Sequence, residues 1–287
     1  MQIDQDTRVF GLIGYPLAHS LSPFIHNLAF KAMGVNAVYL PFPVKPGRVS
    51  SVVNGARALG IRGFNVTIPY KESIIPYLDR VSLEAEACGS VNTVLIEEDR
   101  AVGYNTDGRG FMDSLEQEGV KVPRLAIILG AGGAARAIGY QLAVRGSITV
   151  FLNRTPERAE KLARDIARIT GQESWGKSWD SSCISDFVQD AELLINTTPV
   201  GMYPDIDQKP PFVLKNLNSR SVVADIIYNP LNTRLLREAE GLGLKTISGL
   251  GMFVNQGVRS WEMFTGREAP RKLMEDRLRG LLLKNET

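Results

Sequence analysis

A short glycine-rich run holds the strongest chemical signal in the chain. Residues 130–137 read GAGGAARA and directly follow the apolar run LAIIL at residues 125–129. The run fits the pattern G-x-G-x-x-A with Gly130, Gly132 and Ala135. In this pattern the first glycine allows a tight turn, the second lets backbone amides approach a pyrophosphate, and the small third residue allows close helix–strand packing. The spacing predicts a dinucleotide site at a helix N-terminus, where the helix dipole favours an anion.

Further along, at about the twenty-residue distance where an NAD-binding unit usually has an acidic residue, the chain carries cations. The second apolar strand ends in Asn153, Arg154 and Thr155, and Arg158 follows. A guanidinium can bind a 2′-phosphate through two hydrogen bonds, whereas a carboxylate would repel it, so the pattern favours NADP over NAD. The alternatives are a ligand-free glycine turn and ordinary solvated cations. Against the second, positive charge at a helix N-terminus is unfavourable unless an anion offsets it.

A dinucleotide-dependent reaction also needs a group that handles a proton. The histidines, His19 and His26, and the cysteines, Cys88 and Cys183, do not form a zinc pattern, and the chain has no Tyr-x-x-x-Lys pair. We expect no metal site, a packing role for His26 and plain thiols at both cysteines. Candidate polar side chains gather in four runs, which are HSLSP (19–23), NVTIPYK (65–71), SVNT (90–93) and GYNTDG (103–108).

Composition and charge exclude several other classes of protein. The chain has 287 residues, with 33 Lys plus Arg against 31 Asp plus Glu and 44% hydrophobic residues. A net charge of +2 gives no basic field for nucleic acid or a membrane surface, and no run approaches the ~18 apolar residues of a membrane span. Asp4 and Asp6 oppose a basic signal peptide. We expect a cytoplasmic protein with a small-molecule partner, no nucleic acid and no membrane, and we leave a homodimer open.

Short β-rich runs alternate with stretches of helical period, a pattern that predicts an α/β fold with parallel sheets. Ser22 and Pro23 predict the N-cap and the first position of a helix that Gly34 ends. Residues 97–100 predict the turn of a hairpin. The predicted strands are residues 8–14, 37–43, 63–68, 91–96, 125–129, 148–153, 193–196, 222–227 and 245–247.

Two changes in the sequence pattern predict domain junctions. The first lies around Asp107, which can cap a helix that runs to Glu118. The second lies near residues 248–251, where glycine and serine precede two final helices. We therefore predict one domain from residues 1–106 plus 250–287 and a second from residues 107–249.

The ordered motifs closely resemble those of the shikimate dehydrogenase family. The resemblance takes in GYPLAHSLSPFIHN, NVTIPYK, CGSVNTV, GYNTDG, GAGGAARA, NRT, NTTPVGM, DIIYNP and SGLGMFVNQG, in the family's order. It implies reversible, NADPH-dependent reduction of 3-dehydroshikimate to shikimate, a step in chorismate and aromatic amino-acid biosynthesis. It also implies an N-terminal α/β substrate domain and a Rossmann-type NADP-binding domain flanking a cleft, with the C-terminal helices returning to the first domain.

The resemblance places the family's catalytic lysine on Lys71 and its paired aspartate on Asp107. A lysine held near a ketone offsets the charge of the developing alkoxide and can supply its proton, and Asp107 would orient the lysine. The alternatives are a solvated loop lysine and a helix-capping aspartate.

The resemblance also implies a set of substrate contacts, in which the serines and the tyrosine would hold a carboxylate. Asn92, Asp107 and Gln256 would contact ring hydroxyls. For Ser22 the alternative is the N-cap role alone. The full set is Ser20, Ser22, Thr67, Lys71, Asn92, Asp107, Tyr228 and Gln256.

The implied NADP contacts follow the glycine-rich motif, the second strand and two later loops. Thr197, Thr198 and Met252 would border the nicotinamide. The contacts are Gly130, Ala131, Gly132, Gly133, Ala134, Asn153, Arg154, Thr155, Arg158, Ile226 and Gly249.

Two departures from the family's pattern leave tolerance of quinate open. Ser90 stands where the family usually has alanine, and Tyr70 where phenylalanine is common. One alternative function is a quinate/shikimate dehydrogenase that uses NAD, against which Arg154 argues. Another is a non-catalytic nucleotide-sensing regulator, against which Lys71 and Asp107 argue. Residues 175–179 suggest no function.

Overall fold

The chain folds into two α/β units, each built on a six-stranded sheet. The computed structural model describes residues 3–18, 20–179 and 185–285. One unit comprises Met1–Thr106 and Val254–Leu278, and the other comprises Asp107–Phe253 and Arg279–Thr287. No helix within the described ranges has the length and apolar character needed to cross a lipid bilayer.

A six-stranded sheet organises the first unit. The elements are β1 (Arg8–Gly14), α1 (Ser22–Ala32), β2 (Ala37–Pro43), α2 (Val52–Ala58), β3 (Ile61–Val66), β4 (Arg80–Val81), α3 (Leu83–Cys88), β5 (Thr93–Glu97) and β6 (Arg100–Tyr104). Their order in the sheet is β2-β1-β3-β5-β6-β4.

The strand directions collect several loops at one edge of this sheet. Because β1 runs parallel to β2 and β3, the carboxyl ends of all three strands lie at the same edge. β5 is antiparallel to β3 and begins at this edge, and β6, antiparallel to β5, ends there. The chain passes from β1 to β2 on one side and later to β3 on the other. Loops that diverge from such a switch point leave a crevice where α/β proteins bind ligands.

A second six-stranded sheet, parallel throughout, organises the other unit. The elements are α4 (Asp107–Gln117), β7 (Leu125–Leu129), α5 (Gly133–Ala143), β8 (Ile148–Asn153), α6 (Pro156–Thr170), β9 (Ser174–Ser178), α7 (Ser185–Val188), β10 (Leu193–Asn196), β11 (Val222–Asp225), α8 (Arg234–Gly241) and β12 (Lys245–Ile247). Two helices follow, α9 (Gly249–Thr265) and α10 (Arg271–Asn285).

The order of the second sheet, β12-β11-β10-β7-β8-β9, is that of a dinucleotide-binding fold with its switch point between β7 and β10. Every residue of β7 is buried. Ala126 and Ile128 pack into a core cluster with residues of α4, α5 and α6, whereas Ile127 packs into a different cluster with residues of α8. Alternate side chains of β7 therefore bury both faces of the sheet, which explains its uninterrupted apolar sequence.

Six of the nine predicted strands have the bounds that the sequence pattern indicated. β3, β5 and β11 each differ by one or two residues at one or both ends from the predicted runs. Apolar loop residues such as Ile68, Val91 and Ile226 continue the apolar pattern without joining the ladder. The hairpin is confirmed between β5 and β6, where Glu98 and Asp99 have φ of 47° and 65°. Two positive φ angles are typical of the type I′ turn that matches the twist of paired strands.

The second predicted junction lies within a helix. α9 already begins at Gly249, and the two units meet in the chain between Phe253 and Val254. A Cβ on Gly249 would stand 2.2 Å from the Ile226 carbonyl oxygen, so this glycine serves close packing rather than flexibility. The assignment of residues 1–106 plus 250–287 and 107–249 to substrate and NADP domains stays a prediction.

The segment around Trp175 is the edge strand of the second sheet, β9. A Cβ on Gly176 would stand 2.2 Å from the Glu160 amide nitrogen and 2.3 Å from the Ala159 carbonyl carbon. These are backbone atoms of α6, which cannot move aside as a flexible side chain can. Gly176 therefore allows α6 to lie directly on β9.

We predict that Gly176→Ala lowers the free energy of unfolding by about 2 kcal/mol or more, because the methyl group must push α6 away from the sheet. Gly241→Ala is the matched control, since Gly241 ends α8 with open space where its Cβ would stand. Alanine there should leave stability unchanged or raise it by about 0.5 to 1 kcal/mol. Urea unfolding measures both, and equal effects would contradict the packing of α6 on Gly176.

Candidate active site

The loops after β1 and β3 are hydrogen-bonded to each other at the switch point of the first sheet. The Tyr15 amide donates to the Ile68 carbonyl at 3.0 Å, and the Thr67 amide donates to the Ile13 carbonyl at 2.9 Å. A Cβ on Gly14 would stand 2.4 Å from Thr67 Cγ2, so glycine allows the loops to approach this closely. The structure therefore brings Thr67 beside the loop that leads from β1 to α1.

Ser20 and Ser22 stand at the start of α1, but the predicted N-cap role of Ser22 was wrong. The N-cap is Leu21, with φ −92° and ψ 3°. Ser20 Oγ accepts a hydrogen bond from the Ser22 amide at 3.4 Å, and the Leu21 carbonyl accepts one from the Ile25 amide at 3.2 Å. The helix thus starts one residue before the expected position. Ser22 is buried and its hydroxyl is not used as the cap, which weakens the alternative to a substrate role.

Lys71 lies in the turn that follows β3 and is half-buried. Its carbonyl accepts a hydrogen bond from the Val91 amide at 2.8 Å. The preceding Tyr70 is buried, and its hydroxyl donates to the Val44 carbonyl at 2.7 Å. The hydroxyl that distinguishes Tyr70 from phenylalanine is therefore satisfied within the protein, and the backbone that carries Lys71 is held on both sides.

Asn92 is buried immediately before β5, with the orientation of its amide set by its neighbours. Its Oδ1 accepts hydrogen bonds from the Thr106 backbone amide at 2.8 Å and from Thr93 Oγ1 at 3.0 Å. A backbone N–H can only donate, so the atom that faces it must be oxygen. On the other side, Asn92 Nδ2 donates to Thr106 Oγ1 at 2.9 Å. The ends of β5 and β6 together therefore fix the Asn92 side chain.

A buried polar network links Gln256 of α9 to the same edge of the sheet. Ser260, one turn after Gln256, is fully buried; its Oγ accepts from Asn65 Nδ2 at 2.9 Å and shares a hydrogen bond of 3.0 Å with Thr93 Oγ1. The Gln256 carbonyl accepts from Ser260 Oγ at 2.9 Å and from Thr106 Oγ1 at 3.1 Å. Sequence reasoning missed Asn65, Thr93, Thr106 and Ser260, although the first three lie in the polar runs that it singled out.

In the second unit, the glycine-rich motif lies at the switch point between β7 and β10. Gly130 has φ +114°, and a Cβ there would stand 2.6 Å from Thr197 Oγ1. Thr197 in turn donates to the Leu129 carbonyl, with 2.6 Å between the two oxygens. The first glycine thus allows both a turn that other residues rarely adopt and contact with the loop after β10.

The start of α5 presents backbone amides without a capping side chain. Its N-cap is Gly132, with φ −95° and ψ −171°, and nothing lies within 4 Å of the place where a Cβ would stand. Ala135 is fully buried and faces the core. An uncapped helix N-terminus beside open space fits a pyrophosphate, because its first amide groups lack intrahelical partners.

The predicted cationic pair lies at the end of β8 and the start of α6. Arg154 and Arg158 are both exposed, and neither guanidinium pairs with a carboxylate among residues 3–18, 20–179 and 185–285. The Asn153 side chain donates to the Thr155 carbonyl at 2.9 Å, which shapes the turn between strand and helix. Thr155 is the N-cap of α6 but makes no side-chain cap hydrogen bond. Cations beside a helix start that lacks a side-chain cap are typical of a site that binds an anion.

The loop after β11 carries Ile226 and Tyr228 next to the start of α9. The Gly249 amide donates to the Ile227 carbonyl at 3.1 Å. The Tyr228 ring lies 4.0 Å from the Phe253 ring, centroid to centroid. These contacts place the predicted NADP contacts Ile226 and Gly249 beside each other and orient the Tyr228 ring.

Asp107 is buried at the first position of α4. The next residue, Gly108, lies so close to α5 that a Cβ would stand 2.5 Å from the Ala137 carbonyl oxygen. Close packing of the two helices therefore sets where α4 begins and where Asp107 lies. The catalytic pairing of Asp107 with Lys71 stays a proposal.

His26 and Cys88, which the sequence also singled out, are both buried in the first unit. His26 is buried and stacks on Tyr39, with ring centroids 4.2 Å apart, and burial lowers the pKa of His26 to about 3. The Cys88 thiol donates to the Ser90 carbonyl at 3.5 Å. His19 and Cys183 lie outside the described residues. The described part of the chain contains no group of three or more His, Cys, Asp or Glu side chains that could hold a metal ion.

Three family models match separate parts of the chain. Residues 12–94 match the family model of the shikimate dehydrogenase substrate binding domain, and residues 249–279 match that of the shikimate 5′-dehydrogenase C-terminal domain. Residues 124–228 match the model described as NADP oxidoreductase coenzyme F420-dependent.

Relatives and solved structures match over nearly the whole chain. The shikimate dehydrogenase (NADP(+)) of Methanopyrus kandleri is 44% identical over 279 residues, 96% of either chain. A crystal structure of a shikimate dehydrogenase in complex with NADP+ is 42% identical, with a TM-score of 0.91 over 98% of either chain. The Thermus thermophilus enzyme, solved with NADP(H) and shikimate, is 35% identical, with a TM-score of 0.85 over 95% of this chain and 99% of that one.

Together with the ordered motifs and the geometry of both sheet edges, this similarity shows that the chain belongs to the shikimate dehydrogenase family.

Proposed function

We propose that the protein is an NADP-dependent shikimate dehydrogenase, which reversibly reduces 3-dehydroshikimate to shikimate in chorismate and aromatic amino-acid biosynthesis. The observation that carries the proposal is that most of the residues assigned to substrate follow β1 or β3 or precede β5, and most of those assigned to NADP follow β7, β8 or β11, with a reversal of strand order in each sheet. The relatives named for the same reaction with NADP support it.

In the second unit, backbone amides at a helix start and two arginines would supply the groups that NADP requires. The amides of Gly132, Gly133 and Ala134 would hold the pyrophosphate, since this helix start lacks a side-chain cap. Arg154 and Arg158 would bind the 2′-phosphate, which gives their exposed guanidinium groups an anion to neutralise. When bound, the cofactor supplies or takes up the hydride at the substrate carbon.

A hydroxylated carboxylate requires hydrogen-bonding side chains. Ser20, Ser22 and Tyr228 would hold the carboxylate, while Asn92 and Gln256 would contact ring hydroxyls. Asn92 is a rigid group, because three hydrogen bonds hold its amide. Buried polar groups of fixed direction reject an analogue that lacks the matching hydroxyl, because their hydrogen bonds are then left unmade.

Lys71 would act on the reacting oxygen. As hydride reaches the ketone carbon, negative charge develops on oxygen, and an ammonium group stabilises this charge and supplies the proton that completes the alcohol. In the oxidation direction the same nitrogen takes the proton back. Asp107 would orient Lys71 and contact a substrate hydroxyl.

The expectations about cellular location, nucleic-acid binding and oligomeric state remain proposals. We propose a cytoplasmic protein that binds no nucleic acid, and a homodimer stays open. The alternative that uses NAD for quinate and shikimate would leave Arg154 without a phosphate, and the non-catalytic alternative would leave Lys71 without a reacting group.

The function is tested by following NADP reduction at 340 nm with shikimate, and then with quinate, as substrate. We expect turnover with shikimate and at most weak turnover with quinate. Absence of turnover with shikimate, in protein shown by circular dichroism to be folded, would contradict the proposed function. Equal efficiency with both substrates would favour the quinate/shikimate alternative.

We predict that Lys71→Ala lowers kcat by roughly 10²- to 10⁴-fold and changes KM for shikimate much less, because the ammonium acts mainly as charge develops. Lys45→Ala is the control, as it removes an exposed lysine of the same unit. Steady-state kinetics at several shikimate concentrations separate kcat from KM. Near-normal turnover would remove Lys71 from the mechanism.

We predict that Arg154→Ala weakens NADPH binding by roughly 1 to 3 kcal/mol and leaves NADH binding unchanged, because only NADPH carries the phosphate that the guanidinium binds. Arg164→Ala is the control, since Arg164 is an exposed arginine of α6, the helix that follows Arg154, and pairs with Glu160 at 3.7 Å. Fluorescence titration with each nucleotide measures the two affinities. An equal loss with both nucleotides would contradict phosphate recognition.

A further inference from the structure

A buried carboxylate with no assigned role lies at the carboxyl end of β11. Asp225 is 2% exposed and accepts three hydrogen bonds. Its Oδ1 accepts from Asn196 Nδ2 and from the Ile227 amide, both at 3.0 Å, and its Oδ2 accepts from Thr233 Oγ1 at 2.8 Å. The three donors belong to the end of β10, the loop after β11 and the N-cap of α8, so one side chain joins three segments.

Asn196, the first of these donors, extends the link into the loop after β10. Its Oδ1 accepts from the Thr198 amide at 3.0 Å and from Thr198 Oγ1 at 2.7 Å. Thr197 lies between Asn196 and Thr198 in the chain and packs closely against Gly130. Asp225 and Asn196 therefore connect the loop after β11 to the loop that backs the glycine-rich motif.

The loop after β11 has little freedom once Asp225 is in place. The Ile226 amide donates to the Asn196 carbonyl at 3.1 Å, and the Ile227 amide donates to Asp225 itself. On the other side, Gly249 leaves room for the Ile226 carbonyl. Consecutive amides are thus held by Asn196 and Asp225, which determines the direction in which Ile226 and then Tyr228 leave the sheet.

We propose that Asp225 is a positioning residue for cofactor binding, which holds the loops after β10 and β11 so that Ile226 and the glycine-rich turn together accept NADP. The proposal rests on the proposed function, because it concerns the same cofactor site. Asp225 acts through the backbone of these loops and is not a catalytic residue.

The hydrogen-bonding pattern explains why a group with two acceptor oxygens stands here. Two donors converge on Oδ1 and a third on Oδ2, and a buried donor left without an acceptor costs free energy. Burial raises the pKa of Asp225 to about 7, while the same three hydrogen bonds oppose that rise. An asparagine could keep its oxygen toward Asn196 and Ile227 and turn its NH₂ toward Thr233 Oγ1, so Asn is the conservative replacement and Ala is the disruptive one.

A purely structural role would give different results from a positioning role. Asp225 also supports α8, because Thr233 Oγ1 accepts the Leu236 amide at 3.4 Å as the N-cap of that helix. Loss of this support would lower stability without a specific effect on NADP. NADP affinity measured on folded protein separates the two roles.

The experiment compares Asp225→Ala, Asp225→Asn and wild-type protein by fluorescence titration with NADP, together with urea unfolding of each. We expect the dissociation constant for NADP to rise at least tenfold in Asp225→Ala and to stay within about threefold of wild type in Asp225→Asn. Ile166→Ala is the destabilised control, since Ile166 is buried in α6 away from both loops in sequence. It should lower stability and leave NADP affinity unchanged.

A folded Asp225→Ala protein that binds NADP within twofold of wild type would overturn the proposal, as would an equal loss of affinity in Ile166→Ala. If Asp225→Ala does not fold, Asn196→Ser takes its place, because it removes the donor to Asp225 and the acceptor for Thr198. The same tenfold loss is then expected, and unchanged affinity would again overturn the proposal. Wild-type protein that does not bind NADP would refute the proposed function instead, before any variant is compared.

Discussion

The site depends on a constraint of parallel sheets: strand order must reverse somewhere if helices are to cover both faces, and the loops on either side of the reversal diverge. The reversal falls between β1 and β3 in the first unit and between β7 and β10 in the second. The polar run NVTIPYK follows β3, and the glycine-rich motif follows β7. The proposed carboxylate-binding and dinucleotide-binding regions would then follow from the same topological rule, although the two sheets differ in strand direction and order.

Buried hydrogen bonds then fix the orientation of side chains and backbone groups in these loops. In the first unit, Thr93 and Thr106 fix the side-chain amide of Asn92. Thr106 and Ser260 both donate to the backbone carbonyl of Gln256. In the second, Asp225 and Asn196 perform the comparable task. Most of these side chains do not touch a ligand in our assignment, yet a buried polar group must be satisfied, so each one restricts the backbone around it.

The local sequence pattern was sufficient to predict most of the strands and helices and the conformation of the glycine-rich motif. LAIIL followed by GAGGAARA predicts a buried strand, a tight turn and a helix start, and the structure has all three. β9 was missed because Ser, Gly and Lys have low strand propensity, and its pairing with β8 overrides that preference. The polar network was missed because its members are distant in sequence; Asn65 and Ser260 are 195 positions apart. The predicted N-cap, Ser22, was wrong by one residue, because propensity arguments locate a helix end only to within one or two residues.

The most direct test of the central claim is a crystal structure of the protein with NADP and shikimate. The pyrophosphate should lie within hydrogen-bond distance of the amides at the start of α5, and the 2′-phosphate should contact Arg154. Shikimate should lie over the carboxyl ends of β1 and β3, with its oxygens at Lys71 and Asn92. Either ligand bound at the opposite edge of its sheet, away from the reversal of strand order, would contradict the claim.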